Sequence, residues 1–255
     1  MGKRLEEKIA IVTGGGSGIG RCTALTFARE GAVVIVADRN EAAAGTVTEE
    51  ARAIGGRGEP LALDVSNSTE VKRAIDEVAS RYGRLDILVN NAGFGFAGSV
   101  VDTSEEDWDA IMDVNVKGTF LGCKYAIPIM EKNGGGVIVN TASTTSKVGI
   151  PERAAYCATK GAVASLTRAM ALDHVSNGIR VNCVAPGTVE TPYFTEIFAK
   201  SPDAAELRRK LEARQAMNRL GQPQEIANAI LFLASDESSF CTGSMLLADG
   251  GWTAK

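Results

Sequence analysis

From end to end this chain alternates short runs of Val, Ile, Ala and Leu with longer amphipathic stretches, several of them closed by glycine. That alternation permits few folds. The mostly apolar runs at 8–13, 32–37, 59–63, 85–89, 137–141, 179–184 and 244–248 have the length of strands. Helical periodicity covers 19–30, 40–54, 69–82, 104–114, 117–132, 154–174 and 223–234, with Gly31, Gly55, Gly83 and Gly178 just past four of the ends. Strands that are apolar throughout, rather than alternating, indicate burial on both faces. Successive strand–helix–strand units join parallel strands through right-handed crossovers. The prediction is one α/β domain, residues 1–255. Its core is a doubly wound parallel sheet of about seven strands with helices on both faces. Such a sheet binds ligands at the carboxyl ends of its strands.

Composition excludes several functions. The 27 basic and 31 acidic residues leave a net charge of −4, so no basic footprint for nucleic acid exists. No window approaches the roughly 20 apolar residues that cross a bilayer. The opening segment, Met1 to Lys8, is charged and lacks the apolar stretch of about 7–15 residues that marks a signal peptide. A cytoplasmic location is expected. Five cysteines, at 22, 123, 157, 183 and 241, include no Cys-x-x-Cys pair. Neither zinc nor a disulfide framework is indicated, and the thiols read as small buried hydrophobes. A single histidine, His174, falls at a helix end and cannot build a multi-His metal site. No metal is expected.

One segment breaks the rhythm. Residues 186–219 are far longer than the two to six residues or so that usually join a strand to a helix in α/β units. Tyr193, Phe194, Ile197 and Phe198 give the stretch an amphipathic character. Because it follows the sixth strand at the ligand edge, residues 188–219 read as a lid over substrate. A surface helical excursion or an oligomer contact are the other readings.

Two groups of residues carry chemistry. The loop Thr13-Gly14-Gly15-Gly16-Ser17-Gly18-Ile19-Gly20 follows a strand and opens a helix. Glycines there let the backbone turn and approach a pyrophosphate, whose charge meets the helix N-terminus. Asp38, twenty residues beyond Gly18, closes the second strand. A carboxylate at that place accepts the ribose hydroxyls of NAD and repels the 2′-phosphate of NADP. Arg39 beside it is able to hold such a phosphate, to stack on adenine, or to stand in solvent. The strand-end position of Asp38 favours NAD. Asn91, Ala92 and Gly93 come right after the fourth strand, where small residues let a cofactor approach.

The second group is Tyr156 and Lys160, four residues apart on one helix face, with Ser143 thirteen residues earlier just past the fifth strand. A free phenol titrates near pH 10. Moving it two or three pH units down requires roughly 3–4 kcal/mol of preference for the phenolate. An ammonium and a nicotinamide cation in a closed site are able to supply that preference. The phenol then serves as a general base toward an alcohol.

Taken together, Thr-Gly-x-x-x-Gly-x-Gly at 13–20, Asn90-Asn91-Ala92-Gly93, Asn115, Ser143, Tyr156-x-x-x-Lys160 and Pro186-Gly187-x-x-x-Thr191 resemble the short-chain dehydrogenase/reductase family in order and spacing. The likeness spans essentially the whole chain and implies a Rossmann-type fold. By that resemblance Tyr156 is the general acid/base, Lys160 lowers its pKa and holds the nicotinamide ribose, and Ser143 positions the substrate oxygen. Asn115 would anchor a water that relays protons to Lys160. Read from its own sequence context, Asn115 sits inside a helical stretch as a kink or cap. The resemblance further implies adenine contacts from Asp64 and Val65, adenosine-side contacts from Ala92 and Gly93, and carboxamide contacts from Val189 and Thr191 beside Pro186 and Gly187. It also implies a homotetramer built through the helices near 104–132 and 154–174 and the last strand.

The expected substrate wall comprises Phe94, Phe96, Thr145, Ile150, Tyr193, Phe194, Ile197 and Phe198, apolar with hydroxyls at one end. It suits a small, cyclic or sugar-like secondary alcohol or ketone. The alternative is a 3-oxoacyl-[acyl-carrier-protein] reductase. That branch of the family usually carries Asn directly before the catalytic Tyr, where this chain has Ala155, and prefers NADPH, which Asp38 opposes. A reading of another class, a catalytically inactive dinucleotide-binding regulator, conflicts with the complete set of Asn115, Ser143, Tyr156 and Lys160.

Overall fold

A computed structural model describes residues 3–255; Met1 and Gly2, the first residues of the charged opening segment, lie outside the described residues. Seven parallel strands form the sheet: β1 (Ile9–Thr13), β2 (Val33–Asp38), β3 (Arg57–Ala62), β4 (Ile87–Asn90), β5 (Gly136–Thr141), β6 (Ile179–Pro186) and β7 (Met245–Ala248). Their order is β3-β2-β1-β4-β5-β6-β7. The direction of strand addition reverses between β1 and β4, which opens a crevice at the carboxyl edge. The register is continuous, from Asp38 opposite Ala62 at one side to Pro186 opposite Ala248 at the other. β3 is an edge strand, which is why Pro60 is tolerated within it.

Alternate residues of each central strand feed opposite layers, as a period of two requires. Ala10, Val12, Val34 and Val36 join one core with Phe27 of α1 (Gly18–Arg29), Val47 of α2 (Glu41–Ala53) and Ile230 of α9 (Pro223–Ala234). Ile9, Ile11 and Ile35 join the other with Ile75 of α3 (Ser68–Tyr82), Met130 of α5 (Gly118–Lys132) and Met170 of α6 (Ala154–His174). Local chemistry sets the helix ends. Asn40 caps α2 by accepting from the Ala43 N–H at 3.1 Å, and Gly83 ends α3 in the left-handed region at φ 73°.

One expectation needs correction. The helices predicted at 104–114 and 117–132 are not separate. α4 (Glu105–Met112) runs through a π-helical turn, Asp113–Lys117, directly into α5. The extra residue in that turn places Asn115 as a kink inside one long rod. The segment after β6 contains α7 (Pro192–Lys200) and α8 (Ala204–Glu212), and α7 buries none of its residues fully.

Candidate active site

A cleft of about 720 Å³ runs along the carboxyl edge of the sheet. At one end lies the glycine loop. Its turn is held by Thr13, whose hydroxyl donates to the Val89 carbonyl and accepts from the N–H groups of Asn91 and Ala92 at 3.0 and 3.1 Å. The Asn91 amide donates to the carbonyls of Thr13 and Gly14, at 3.0 and 3.2 Å. Gly14, Ser17, Gly18, Ile19, Asn91, Ala92 and Gly93 all face the cleft. No side chain caps the start of α1: Ser17 occupies the N-cap position without such a bond. Gly18 and Ile19 of the helix's first turn line the cleft, and first-turn N–H groups left without a side-chain cap suit an anionic pyrophosphate. Gly20 departs from expectation. It lies behind the loop rather than along the cleft, and a Cβ there would come within 2.0 Å of the Gly14 carbonyl oxygen. Its contribution is to let helix and loop touch.

Asp38 ends β2 at the cleft, with Arg39 beside it. Its two oxygens accept from the N–H groups of Gly16 and Asn40, at 3.0 and 2.9 Å. Each oxygen keeps a further lone pair for a hydroxyl donor. Asp64 and Val65 line the same end. The Asp64 carboxylate accepts from both the N–H and the hydroxyl of Ser66, which hold its pKa below the usual range.

At the other end Ser143, Tyr156 and Lys160 converge. Ser143 follows β5 and caps a 3-10 turn, Thr144–Ser146, accepting from the Thr145 N–H at 3.2 Å. The Ser146 hydroxyl donates to the Lys160 carbonyl at 2.8 Å and ties that turn to α6. Lys160 is buried, its ammonium donating to the Thr141 carbonyl at 2.8 Å. Burial pulls its pKa down to about 8. The main chain of Gly95 lies against the Tyr156 ring, with room for no Cβ beyond 2.9 Å.

The Tyr156 phenol behaves otherwise than the sequence suggests. Burial pushes its pKa above the ordinary value, and the Ser143 hydroxyl, which hydrogen-bonds the charged form, opposes this only in part. Lys160 is not among the leading influences on it. Its Nζ stands 5.8 Å from the ring centroid and spends a hydrogen on Thr141. A further positive charge beside the phenol would favour the phenolate.

Asn115 does not reach the cleft. Its carbonyl oxygen accepts from the Phe94 N–H at 3.0 Å, while its amide donates to the Phe94 carbonyl at 2.9 Å and to the Thr159 hydroxyl at 3.1 Å. Both amide hydrogens are thus engaged, and the backbone carbonyl accepts from the Thr119 hydroxyl. Asn115 thus clamps the Phe94 loop to α6, in agreement with its reading as a kink.

Of the expected substrate wall, Phe94, Thr145, Ile150, Tyr193, Phe194 and Ile197 line the cleft, as do Pro186, Gly187, Val189 and Thr191. Phe96 and Phe198 do not. The Phe198 ring packs behind Phe194, at 6.3 Å between centroids, and under the Arg208 guanidinium at 5.1 Å. Phe96 lies beside Gly98, at the loop that pairs with Arg153. Leu207 and Leu211 of α8, Arg153, Arg214 and Trp252 complete the wall, and of these the leucines, Arg214 and Trp252 were not among the expected residues. Helical spacing within α8 signals the two leucines, but nothing local marks Arg214 or Trp252. The buried hydroxyls of Thr144 and Thr145 have no hydrogen-bond partner among the described residues.

Known proteins place this geometry. A family model described as enoyl-(acyl carrier protein) reductase matches residues 14–253. The chain belongs to the short-chain dehydrogenase/reductase family and is an oxidoreductase. It is 43% identical over 251 residues to a cyclopentanol dehydrogenase of Comamonas sp., covering 98% of this chain and 99% of the relative. It is 42% identical to a 3-oxoacyl-[acyl-carrier-protein] reductase of Thermotoga maritima, covering 97% and 98%. The crystal structure of a Burkholderia xenovorans protein described as a short-chain dehydrogenase/reductase superposes with a TM-score of 0.97 at 40% identity, over 99% of both chains.

Proposed function

We propose that this chain is an NAD(H)-dependent dehydrogenase that interconverts secondary alcohols and ketones, with Tyr156 as general acid/base. The observation that carries the reading is the meeting, along one cleft, of an uncapped helix N-terminus and the Asp38 carboxylate with the Ser143, Tyr156 and Lys160 triplet. Bound nicotinamide dinucleotide supplies the hydride acceptor or donor and, when oxidised, a positive charge. The start of α1 holds the pyrophosphate. Asp38 takes the adenosine ribose hydroxyls and disfavours a 2′-phosphate. Lys160 holds the nicotinamide ribose, and Val189 and Thr191 meet the carboxamide. Ser143 orients the reacting oxygen while the Tyr156 phenolate removes its proton. The phenol that burial keeps protonated becomes acidic when a cation stands beside it.

The apolar wall of Phe94, Ile150, Phe194 and Ile197 supports a small or cyclic substrate, and the likeness to a cyclopentanol dehydrogenase favours the same class. The likeness to a 3-oxoacyl-[acyl-carrier-protein] reductase supports that activity as the alternative, against Ala155 and Asp38. Residues 188–219 act as the lid, through α7 and α8. Exposed Trp108, Phe120 and Leu172 on α4, α5 and α6 support a homotetramer built on those helices. No helix among the described residues is long and apolar enough to cross a membrane; the cytoplasm is the proposed location.

The test is NAD reduction with a panel of secondary alcohols, cyclopentanol included. Tyr156→Phe should lower kcat by about 10²–10⁴ and leave cofactor binding intact. Near wild-type turnover in that variant contradicts the reading.

A further inference from the structure

The substrate end of the cleft carries two guanidinium groups, of which Arg153 also opposes, through its charge, the rise in the Tyr156 pKa. Arg153 precedes α6 and Arg214 follows α8, and both line the cleft beside Tyr193 and Trp252. Arg153 donates to the Tyr193 hydroxyl at 3.0 Å. The Arg214 guanidinium lies over the Trp252 ring, 5.5 Å from its centroid. Nearby arginines on the outer surface have found their acids: Arg208 pairs with Glu190 and Glu212, and Arg219 with Glu225. Among the described residues Arg153 and Arg214 pair with none, although exposed Glu152 stands on the same wall.

That arrangement is costly for an empty purpose. A half-buried guanidinium has lost water and gained no counter-charge. Burial, and then the charge of Arg153, pull the Arg214 pKa below its ordinary value. The supports around Arg214 are nevertheless firm. Its neighbour Gln215 is buried, and the Gln215 amide donates to the carbonyls of Leu211 and Arg219 at 2.8 and 3.2 Å. The Asp249 carboxylate accepts from the N–H groups of Gly251 and Thr253, both at 2.9 Å, and from the Thr253 hydroxyl at 2.7 Å. Those bonds fix the turn that presents Trp252. Two cations are thus held in advance at one place, which lowers the ordering cost of binding an anion.

We propose that the substrate is a secondary alcohol, or its ketone, that carries a carboxylate, and that Arg153 and Arg214 clamp this group at the lid end of the cleft. The planar guanidinium fork matches a carboxylate in a way a lone ammonium does not. The inference rests on the dehydrogenase reading above and narrows its substrate class to hydroxy acids and oxo acids.

The experiment compares a panel of linear and cyclic hydroxy acids with their methyl esters, using NAD and following the reduced cofactor. At least one acid should exceed its ester about tenfold or more in kcat/KM, the effect expected of charge-assisted hydrogen bonds. Arg214→Met should raise KM for that acid about tenfold or more with a smaller change in kcat, and Arg214→Lys should fall between. Esters that match or beat the acids across the panel overturn the inference, as does an acid-to-ester ratio unchanged in Arg214→Met. If esters and neutral cyclic alcohols turn over well while acids do not, the dehydrogenase reading stands and this one falls. If nothing is oxidised, the dehydrogenase reading falls, and calorimetry of the acids against the NADH-loaded protein decides the anion site. Binding weakened tenfold in Arg214→Met supports it; no binding, or binding unaffected by the substitution, removes it.

Discussion

The two halves of the sheet edge do their work by opposite means. On the β3-β2-β1 side the site is made by what is missing: Gly14 and Gly20 let backbone meet backbone, Gly18 takes a left-handed φ of 51°, and a helix start lies open. On the β5-β6-β7 side it is made by groups that burial makes uncomfortable, a lysine amine, a phenol and the Arg214 guanidinium. The first half is a steric problem and the second an electrostatic one. Substitutions should therefore hurt the two halves through different quantities.

The largest expected effect is electrostatic. In the unfolded chain Lys160 keeps its proton up to about pH 10.5, whereas in the folded protein it releases it near 8. Between those values the unfolded state holds more protons, so stability rises with pH through that window. Below pH 8 the buried charge costs about 3 kcal/mol, at about 1.36 kcal/mol per pH unit. Urea unfolding of Lys160→Met should be flatter between pH 8 and 10 than wild type, and the variant should be the more stable of the two at pH 7. Identical pH dependence in both would erase the electrostatic half of the contrast.

The steric half is challenged at Gly20. A methyl group there meets the Gly14 carbonyl at 2.0 Å, and Gly20→Ala should cost about 1–3 kcal/mol of stability and about tenfold or more in NAD affinity. Gly45 of α2 has nothing within 4 Å of its Cβ position, so Gly45→Ala should stabilise by up to about 1 kcal/mol. Equal melting temperatures for the two variants would show that the loop yields where the geometry says it cannot.

Asp38 sharpens the comparison at smaller scale, because it is a charge placed in the steric half. Asp38→Ala should narrow the preference for NAD over NADP by about tenfold, the size of one close charge contact. Calorimetry with both cofactors reads the ratio, and an unchanged ratio contradicts the assignment. Smallest is the lid. Amide exchange across 190–215 should slow severalfold when NADH and a ketone are bound together, while α1 changes little. Exchange that stays the same on ternary-complex formation would leave α7 and α8 a fixed wall.

The sequence made the steric half legible and the electrostatic half only partly so. Strands and helices followed from apolar runs and glycine stops, and α6 and α9 have the expected limits because His174 with Gly178 and Pro223 mark them. β3 is displaced toward Arg57, since an edge strand carrying Gly58 and Pro60 has little apolar pattern to bound it. The π-helical turn at Asp113–Lys117 has no composition signal, so two helices were expected where one bends. Within α7, period alone could not choose which aromatic faces inward, and Phe198 turned away from the cleft that Tyr193, Phe194 and Ile197 line. Arg214 and Trp252 meet across a long stretch of chain, through the buried Gln215 and Asp249, and no local pattern announces such a meeting.

The central claim is that the protein alone keeps Tyr156 protonated and that a bound pyridinium makes it acidic. Titrating phenolate absorbance in wild type, with Tyr156→Phe subtracted, reads that one group with and without NAD⁺. The account predicts a value above the ordinary 10 in the cofactor-free protein and a fall toward neutrality when NAD⁺ is bound. A phenol that titrates at the same pH in both states would contradict it.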